Sequence, residues 1–208
     1  LPNPMVGCVV LDKDGKLISK GYHKKYGKNH AERDALLKLN NNEAEGGTLY
    51  VNLEPCSHFG KTPPCVDLII KHKLKRVVIG MKDVNPKVDG ITKLKNAGIE
   101  VDFVLEEEAR FLNRMFIKTM TEKMPYVVLK TASTMDGKIA SKTGSSKWIT
   151  SETARKEVYR MRKEFDCIMT SSNTVIADNP SMQHNFKCIL DKDLRTPKDA
   201  KIYQQGEI

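Results

Sequence analysis

Residues 30–39 read HAERDALLKL and residues 48–65 read TLYVNLEPCSHFGKTPPC, and these two stretches decide the fold. The first has apolar residues at helical spacing, which predicts a helix that begins beside His30. The second opens with β-branched and aromatic residues, which predict a strand that ends at Glu54-Pro55-Cys56. Together they predict an α/β unit in which a helix start and a strand end meet at one chemically active site.

Strand and helix patterns alternate on both sides of these stretches. Strands are predicted at residues 7–11, 17–22, 76–81 and 100–105, and helices at residues 66–71 and 92–97. This alternation predicts a layered α/β fold with a partly parallel sheet.

A second series of elements follows Met124-Pro125. It comprises predicted strands at 126–131, 166–170 and 187–190 and an amphipathic helix at 150–165, starting near Ser151. We therefore predict two domains, residues 1–123 and 124–208, with the boundary between Thr121 and Pro125.

Composition limits the classes of protein that fit. The net charge of +9 suits anionic ligands, although the lysines are dispersed as on an ordinary solvated surface. No run approaches the ~18 apolar residues of a membrane helix, so no membrane contact is expected. Five cysteines without a secretory signal favour a reducing, cytoplasmic location. The abrupt ends suggest that the chain is cut at both termini.

The motif residues match the needs of hydrolytic deamination. Such a reaction needs a strong nucleophile, which zinc provides by lowering the pKa of a bound water to roughly 7. A catalytic zinc has three protein ligands, and His30, Cys56 and Cys65 meet that number. Glu32 is placed to move protons without binding the metal. The order H-x-E and then P-C is the signature of zinc deaminases, although here eight residues rather than two separate the cysteines, and His58 among them is an alternative ligand.

The strings PNPMVG at residues 2–7, HAERDAL, LEPCSHFGKTPPC and KRVVIGMKDVNP resemble the bifunctional riboflavin-biosynthesis family, a pyrimidine deaminase fused to a reductase. The resemblance covers nearly the whole chain and includes the long cysteine spacing. It implies a cytidine-deaminase-like three-layer α/β/α domain with one zinc. The implied substrate is a phosphorylated small molecule, 2,5-diamino-6-ribosylamino-4-pyrimidinone 5′-phosphate. Candidate substrate contacts are Asn3, His58 and Lys61.

In the second half, the segments KTASTMDGK, SSKWIT and NTVIADNP resemble the same family's dihydrofolate-reductase-like α/β domain, which uses NADPH. The resemblance implies cofactor contacts at Ala132, Trp148, Thr174 and Asp178. It implies substrate contacts at Lys130, Ser146, Arg162 and Met182. The family's glycine-rich cofactor segment is absent from the sequence, so this domain is expected to be incomplete. A homo-oligomer is expected from the resemblance alone.

Two other functions remain open from the residues. A deaminase acting on tRNA or a nucleoside would share His30-Ala31-Glu32 and would suit the basic charge, but its cysteines are typically two residues apart, and no nucleic-acid partner is expected. A non-catalytic zinc scaffold would need no proton-shuttling carboxylate and would close the fourth metal position with another ligand.

Overall fold

The computed structural model describes residues 3–40 and 42–204, and the chain divides into two compact units, Leu1–Val128 and Leu129–Ile208. The expectation about cut termini falls largely on residues 1–2 and 205–208, which lie outside the described residues. Within the described part of the chain, no helix has the length and apolar character needed to cross a lipid bilayer.

The first unit is built on a five-stranded sheet with strand order β2-β1-β3-β4-β5. The strands are β1 (Gly7–Leu11), β2 (Leu17–Tyr22), β3 (Thr48–Leu53), β4 (Arg76–Met81) and β5 (Glu100–Phe103). β1 pairs antiparallel with β2 and β3, whereas β3, β4 and β5 run parallel. The prediction of a partly parallel sheet is therefore confirmed, with β5 ending two residues earlier than the sequence indicated.

Helices cover both faces of this sheet. The helices of the unit are α1 (Ala31–Leu36), α2 (Cys65–Lys71), α3 (Gly90–Asn96), α4 (Glu106–Leu112) and α5 (Arg114–Glu122). Apolar residues of α1, α2 and α3 pack with alternate residues of β1, β3 and β4 in one buried core. On the opposite face α4 lies so close to β4 that a Cβ added at Gly80 would come 2.8 Å from the Cβ of Ala109. This is the predicted three-layer arrangement.

The contact between β2 and α1 depends on Gly21. A Cβ at this position would lie 2.4 Å from the Ala31 carbonyl oxygen and 2.5 Å from the Ala35 nitrogen, and neither backbone atom can swing aside. The start of α1 is therefore held directly against the sheet. Because α1 begins immediately after His30, this contact also fixes the position of the His30 backbone relative to the sheet.

We expect Gly21→Ala to lower the free energy of unfolding by about 1–3 kcal/mol, the usual cost of forcing extra volume into a packed contact. Urea unfolding of the full chain measures the change. Gly7→Ala is the matched control, because Gly7 pairs with Tyr22 on the neighbouring strand and a Cβ there meets nothing within 4 Å. The control should stay within about 0.5 kcal/mol of the parent. Equal losses in both variants would contradict the steric argument.

The second unit contains α6 (Glu152–Arg162), β6 (Ile168–Ser171), α7 (Ser172–Asp178), β7 (Lys187–Leu190) and a 3₁₀ turn (Lys201–Gln204). β6 and β7 form a parallel pair, and Val175, Ala200 and Ile202 form a small core beside it. The Ser151 side chain accepts a hydrogen bond from the Ala154 amide, which caps α6 where the sequence predicted its start.

The predicted strand at residues 126–131 is wrong. Those residues have no regular secondary structure, and Val127 and Leu129 are exposed. A strand is stabilised by pairing with a neighbour, and neither of the two sheets in the described part of the chain contains this segment. The apolar run of residues 126–129 therefore has no sheet to join.

Candidate active site

Three chain segments bring the predicted metal ligands together. His30 is the N-cap residue of α1, Cys56 follows the carboxyl end of β3, and Cys65 is the first residue of α2. The Cys56 Sγ lies 3.4 Å and the Cys65 Sγ 3.6 Å from Nδ1 of His30. All three donor atoms lie within 4.8 Å of one another, and this is the one such cluster among the described residues, with His58 outside it.

The electrostatics of the two cysteines differ. A hydrogen bond from the Cys65 thiol, helped by His30, lowers the pKa of the Cys56 thiol to about 4. The same contact and then burial raise the pKa of Cys65 well above its ordinary value. The Cys65 amide also donates to the Cys56 sulfur at 3.3 Å. Cys56 is thus poised as a thiolate, the form in which cysteine binds metals.

The donor set fits zinc. Two cysteine sulfurs and one imidazole nitrogen are ligands that zinc prefers, and three protein ligands leave a fourth tetrahedral position for a water or a substrate. Sulfur-rich sites of this size do not suit magnesium or calcium, which take oxygen ligands.

Glu32 lies beside this cluster on the first turn of α1. Its side chain is 3% exposed, and burial raises the pKa of its carboxyl to about 7. A carboxyl group with a pKa near the operating pH can both accept and donate a proton, as a general acid–base catalyst must.

The cluster opens into a cavity of about 630 Å³. The predicted substrate contacts Asn3, His58 and Lys61 all line it, together with His30, Glu32 and Cys56. The Lys61 ammonium lies 4.2 Å from the centre of the Tyr26 ring, so the loop that joins the cysteines contacts the loop that precedes α1.

Sequence reasoning missed several residues of this wall. His23, Asp83, Asn85 and Met120 also line the cavity. The His23 ring lies edge-on to His30, with ring centres 5.4 Å apart, and its Nδ1–H donates to the Asn29 carbonyl at 3.0 Å. Nothing in the pattern of the stretch KDVNP assigns Asp83 and Asn85 to this cavity.

A separate cavity of about 560 Å³ lies in the second unit. All eight residues predicted for this unit line it, namely Lys130, Ala132, Ser146, Trp148, Arg162, Thr174, Asp178 and Met182. Arg162 donates to the Met182 carbonyl at 3.2 Å, and the Arg155 guanidinium lies 4.3 Å from the Trp148 ring centre.

Both units of the chain have relatives among known proteins. Residues 1–81 match the zinc-binding region of cytidine and deoxycytidylate deaminases, and residues 125–208 match the RibD C-terminal domain. The chain is 49% identical to the riboflavin biosynthesis protein RibD of Aquifex aeolicus over 99% of its own length. The chain is therefore similar to RibD proteins along nearly its whole length. It spans 60% of that relative's length and 50% of the 46%-identical RibD of Escherichia coli.

Solved RibD-family structures extend the match to three dimensions. The deaminase/reductase of Thermotoga maritima is 43% identical, with a TM-score of 0.91, over 99% of this chain and 62% of its own. RibD of Acinetobacter baumannii is 44% identical, with a TM-score of 0.85, over 98% of this chain and 61% of its own. The fold is therefore that of a cytidine-deaminase-like domain followed by part of the RibD reductase domain.

Proposed function

We propose that the first unit catalyses the deamination step of riboflavin biosynthesis, in which 2,5-diamino-6-ribosylamino-4-pyrimidinone 5′-phosphate loses its amino group at ring carbon 2. The observation that carries the proposal is the buried Glu32 carboxyl beside the His30, Cys56 and Cys65 cluster at the end of one cavity. Similarity to RibD proteins supports the choice of substrate.

The chain's own residues account for the steps of the reaction. His30, Cys56 and Cys65 would hold zinc, which would supply Lewis-acid activation of the attacking water. Glu32 takes a proton from the attacking water and delivers it to a ring nitrogen. Glu32 then takes the remaining proton from the hydroxyl group now on ring carbon 2 and passes it to the amino nitrogen. The bond from carbon 2 to that nitrogen breaks, the carbonyl forms and ammonia leaves. One water is consumed and one ammonia is released.

The polar wall of the cavity suits a phosphorylated pyrimidine. Lys61 supplies a positive charge for the phosphate, while Asn3 and His58 offer hydrogen bonds to the ring or sugar. The eight residues between the cysteines contain both His58 and Lys61, so the longer spacing adds polar groups that a two-residue spacing would lack.

We further propose that the second unit binds NADPH and the deaminated product in its cavity. There NADPH would reduce the ribosyl side chain of the product to ribityl. Ala132, Trp148, Thr174 and Asp178 would contact the cofactor, with the other four predicted residues on the substrate. The protein's part is to place the nicotinamide against the sugar carbon. We propose a cytoplasmic homo-oligomer as the working form.

Ammonia release from the diaminopyrimidine ribosyl phosphate, measured with the zinc content of the same sample, tests the deaminase. We expect turnover with about one zinc per chain. A zinc-loaded chain that releases ammonia from tRNA adenosine but not from this substrate would contradict the proposal, as would one that turns over neither. NADPH added to the same reaction, followed by its absorbance, tests the second unit.

A further inference from the structure

Glu54 precedes the Pro-Cys pair of the zinc motif but takes no part in the chemistry described above. It stands at the end of β3, its side chain is 7% exposed, and it is not among the clustered metal ligands. Its Oε1 accepts the amides of Gly90 at 2.8 Å and Ile91 at 3.1 Å, and its Oε2 accepts the Asp83 amide at 3.2 Å. The three hydrogen bonds of this buried carboxylate all go to backbone amides.

These hydrogen bonds join two distant segments of the chain. One is the stretch from β3 to Cys56, and the other runs from the end of β4 to the first turn of α3. Ser57 strengthens the junction, because its Oγ accepts the Asp89 amide at 2.8 Å and its carbonyl accepts the Lys93 ammonium at 2.6 Å. The residues on both sides of Cys56 are thus attached to the same short segment.

The packing at this junction is as close as the hydrogen bonding. A Cβ added at Gly90 would lie 2.0 Å from the Pro55 carbonyl oxygen, so the backbone of α3 rests directly on the backbone next to Cys56. On its other side Cys56 is fixed by α2, since its carbonyl accepts the Val66 amide at 3.3 Å. Cys56 is therefore held between the starts of two helices.

We propose that Glu54 is a positioning residue that holds Cys56 in place for the metal by tying its loop to the start of α3. Glu54 lines the cavity, but backbone N–H groups take both acceptor sites of Oε1 and one of those of Oε2. Its effect on the metal passes through the backbone of Pro55 and Cys56. The inference rests on the zinc site of the proposed function and not on its substrate.

Metal affinity of the full chain tests this role. Zn²⁺ is competed against a chromophoric chelator, and Co²⁺ is added separately so that its thiolate absorption reports the geometry at Cys56. Glu54→Ala should weaken Zn²⁺ binding by about 10–100-fold, the usual effect of losing a group that supports a ligand, and should alter the Co²⁺ spectrum. Glu54→Gln keeps one acceptor oxygen but places its amide NH2 group against a backbone N–H donor. We therefore expect a smaller loss of Zn²⁺ affinity than in Glu54→Ala.

Asp12→Ala is the matched control. The Asp12 carboxylate also accepts two backbone amides, from Asp14 at 3.0 Å and Lys16 at 2.9 Å, but it lies in the turn between β1 and β2. The Asp12→Ala variant should therefore keep the Zn²⁺ affinity and the Co²⁺ spectrum of the parent chain. Equal weakening in Asp12→Ala and Glu54→Ala would reduce the effect to general destabilisation and overturn the proposal.

Unchanged Zn²⁺ affinity in Glu54→Ala, with turnover lost, would make Glu54 a catalytic group and also overturn it. If Glu54→Ala does not fold, Gly90→Ala breaks the same junction from the α3 side, and it should weaken Zn²⁺ binding in the same way as Glu54→Gln. If Glu54→Gln and Gly90→Ala both bind Zn²⁺ with the affinity of the parent chain, the positioning role of Glu54 is refuted. None of these readouts depends on which pyrimidine is the substrate, so an error in the proposed function leaves them interpretable.

Discussion

Replacing Glu32 by Gln is expected to lower ammonia release by about 10²–10⁴-fold, the contribution of a positioned general acid–base group. The amide has nearly the same shape as the carboxyl group but cannot take up a proton from water or pass one to the leaving amine. Because Glu32 is not among the clustered ligand atoms, the zinc content should stay at about one per chain. Steady-state ammonia release and metal analysis of one sample measure both quantities.

Asp34→Asn is the control for this variant. Asp34 is also an acidic residue of α1, but its carboxylate pairs with Lys38 at 3.0 Å and does not line the active-site cavity. Turnover in the control should match the parent. Retention of full activity in Glu32→Gln would favour a non-catalytic zinc scaffold and would remove the mechanism proposed for Glu32.

Cys65→Ser is expected to remove both zinc and activity. A serine hydroxyl is not deprotonated at neutral pH, so the site would keep only His30 and Cys56 as effective ligands. The loss of zinc affinity should exceed the ~10–100-fold loss expected when a group that only supports a ligand, such as Glu54, is removed. Turnover should fall in proportion to zinc occupancy, unlike Glu32→Gln, in which occupancy stays constant. Metal analysis after dialysis, with the ammonia assay, measures both.

Cys8→Ala controls for the loss of a buried thiol. Cys8 is as deeply buried as a core residue, lies on β1 and is outside the ligand cluster, so its removal should leave zinc content unchanged. Full zinc occupancy in Cys65→Ser would show that another group, with His58 the nearest alternative in sequence, can serve as the third ligand.

The first unit was predictable because its signals are local. The short apolar and β-branched runs of β1 to β4 and the helix that opens at His30 are properties of neighbouring residues, and each was found within a few positions of its true bounds. The metal ligands were found because their spacing is a chemical signature. The helices α4 and α5 were not predicted, since they carry no motif and α5 has only Phe116 fully buried.

Residues brought to the site by folding alone could not be predicted. His23 follows β2, Asp83 follows β4 and Met120 belongs to α5, and only the tertiary structure places them on one wall. In the second unit, the resemblance selected eight residues that share a cavity. The residue pattern alone gave a strand at 126–131, which failed because strand formation depends on a pairing partner that a pattern does not contain.

Four glycines of the first unit, at positions 21, 47, 80 and 90, occupy places where a neighbouring backbone or side chain fills the volume of a missing methyl group. Two of them seat the segments that carry His30 and Cys56. In a library of random variants selected only for soluble expression, substitutions at positions 21 and 90 should therefore be rare. Selection for turnover should remove substitutions at the same two positions. In this protein, substitutions at these two positions would impair both the folding of the first unit and the proposed chemistry, so stabilising changes are best sought away from these two junctions.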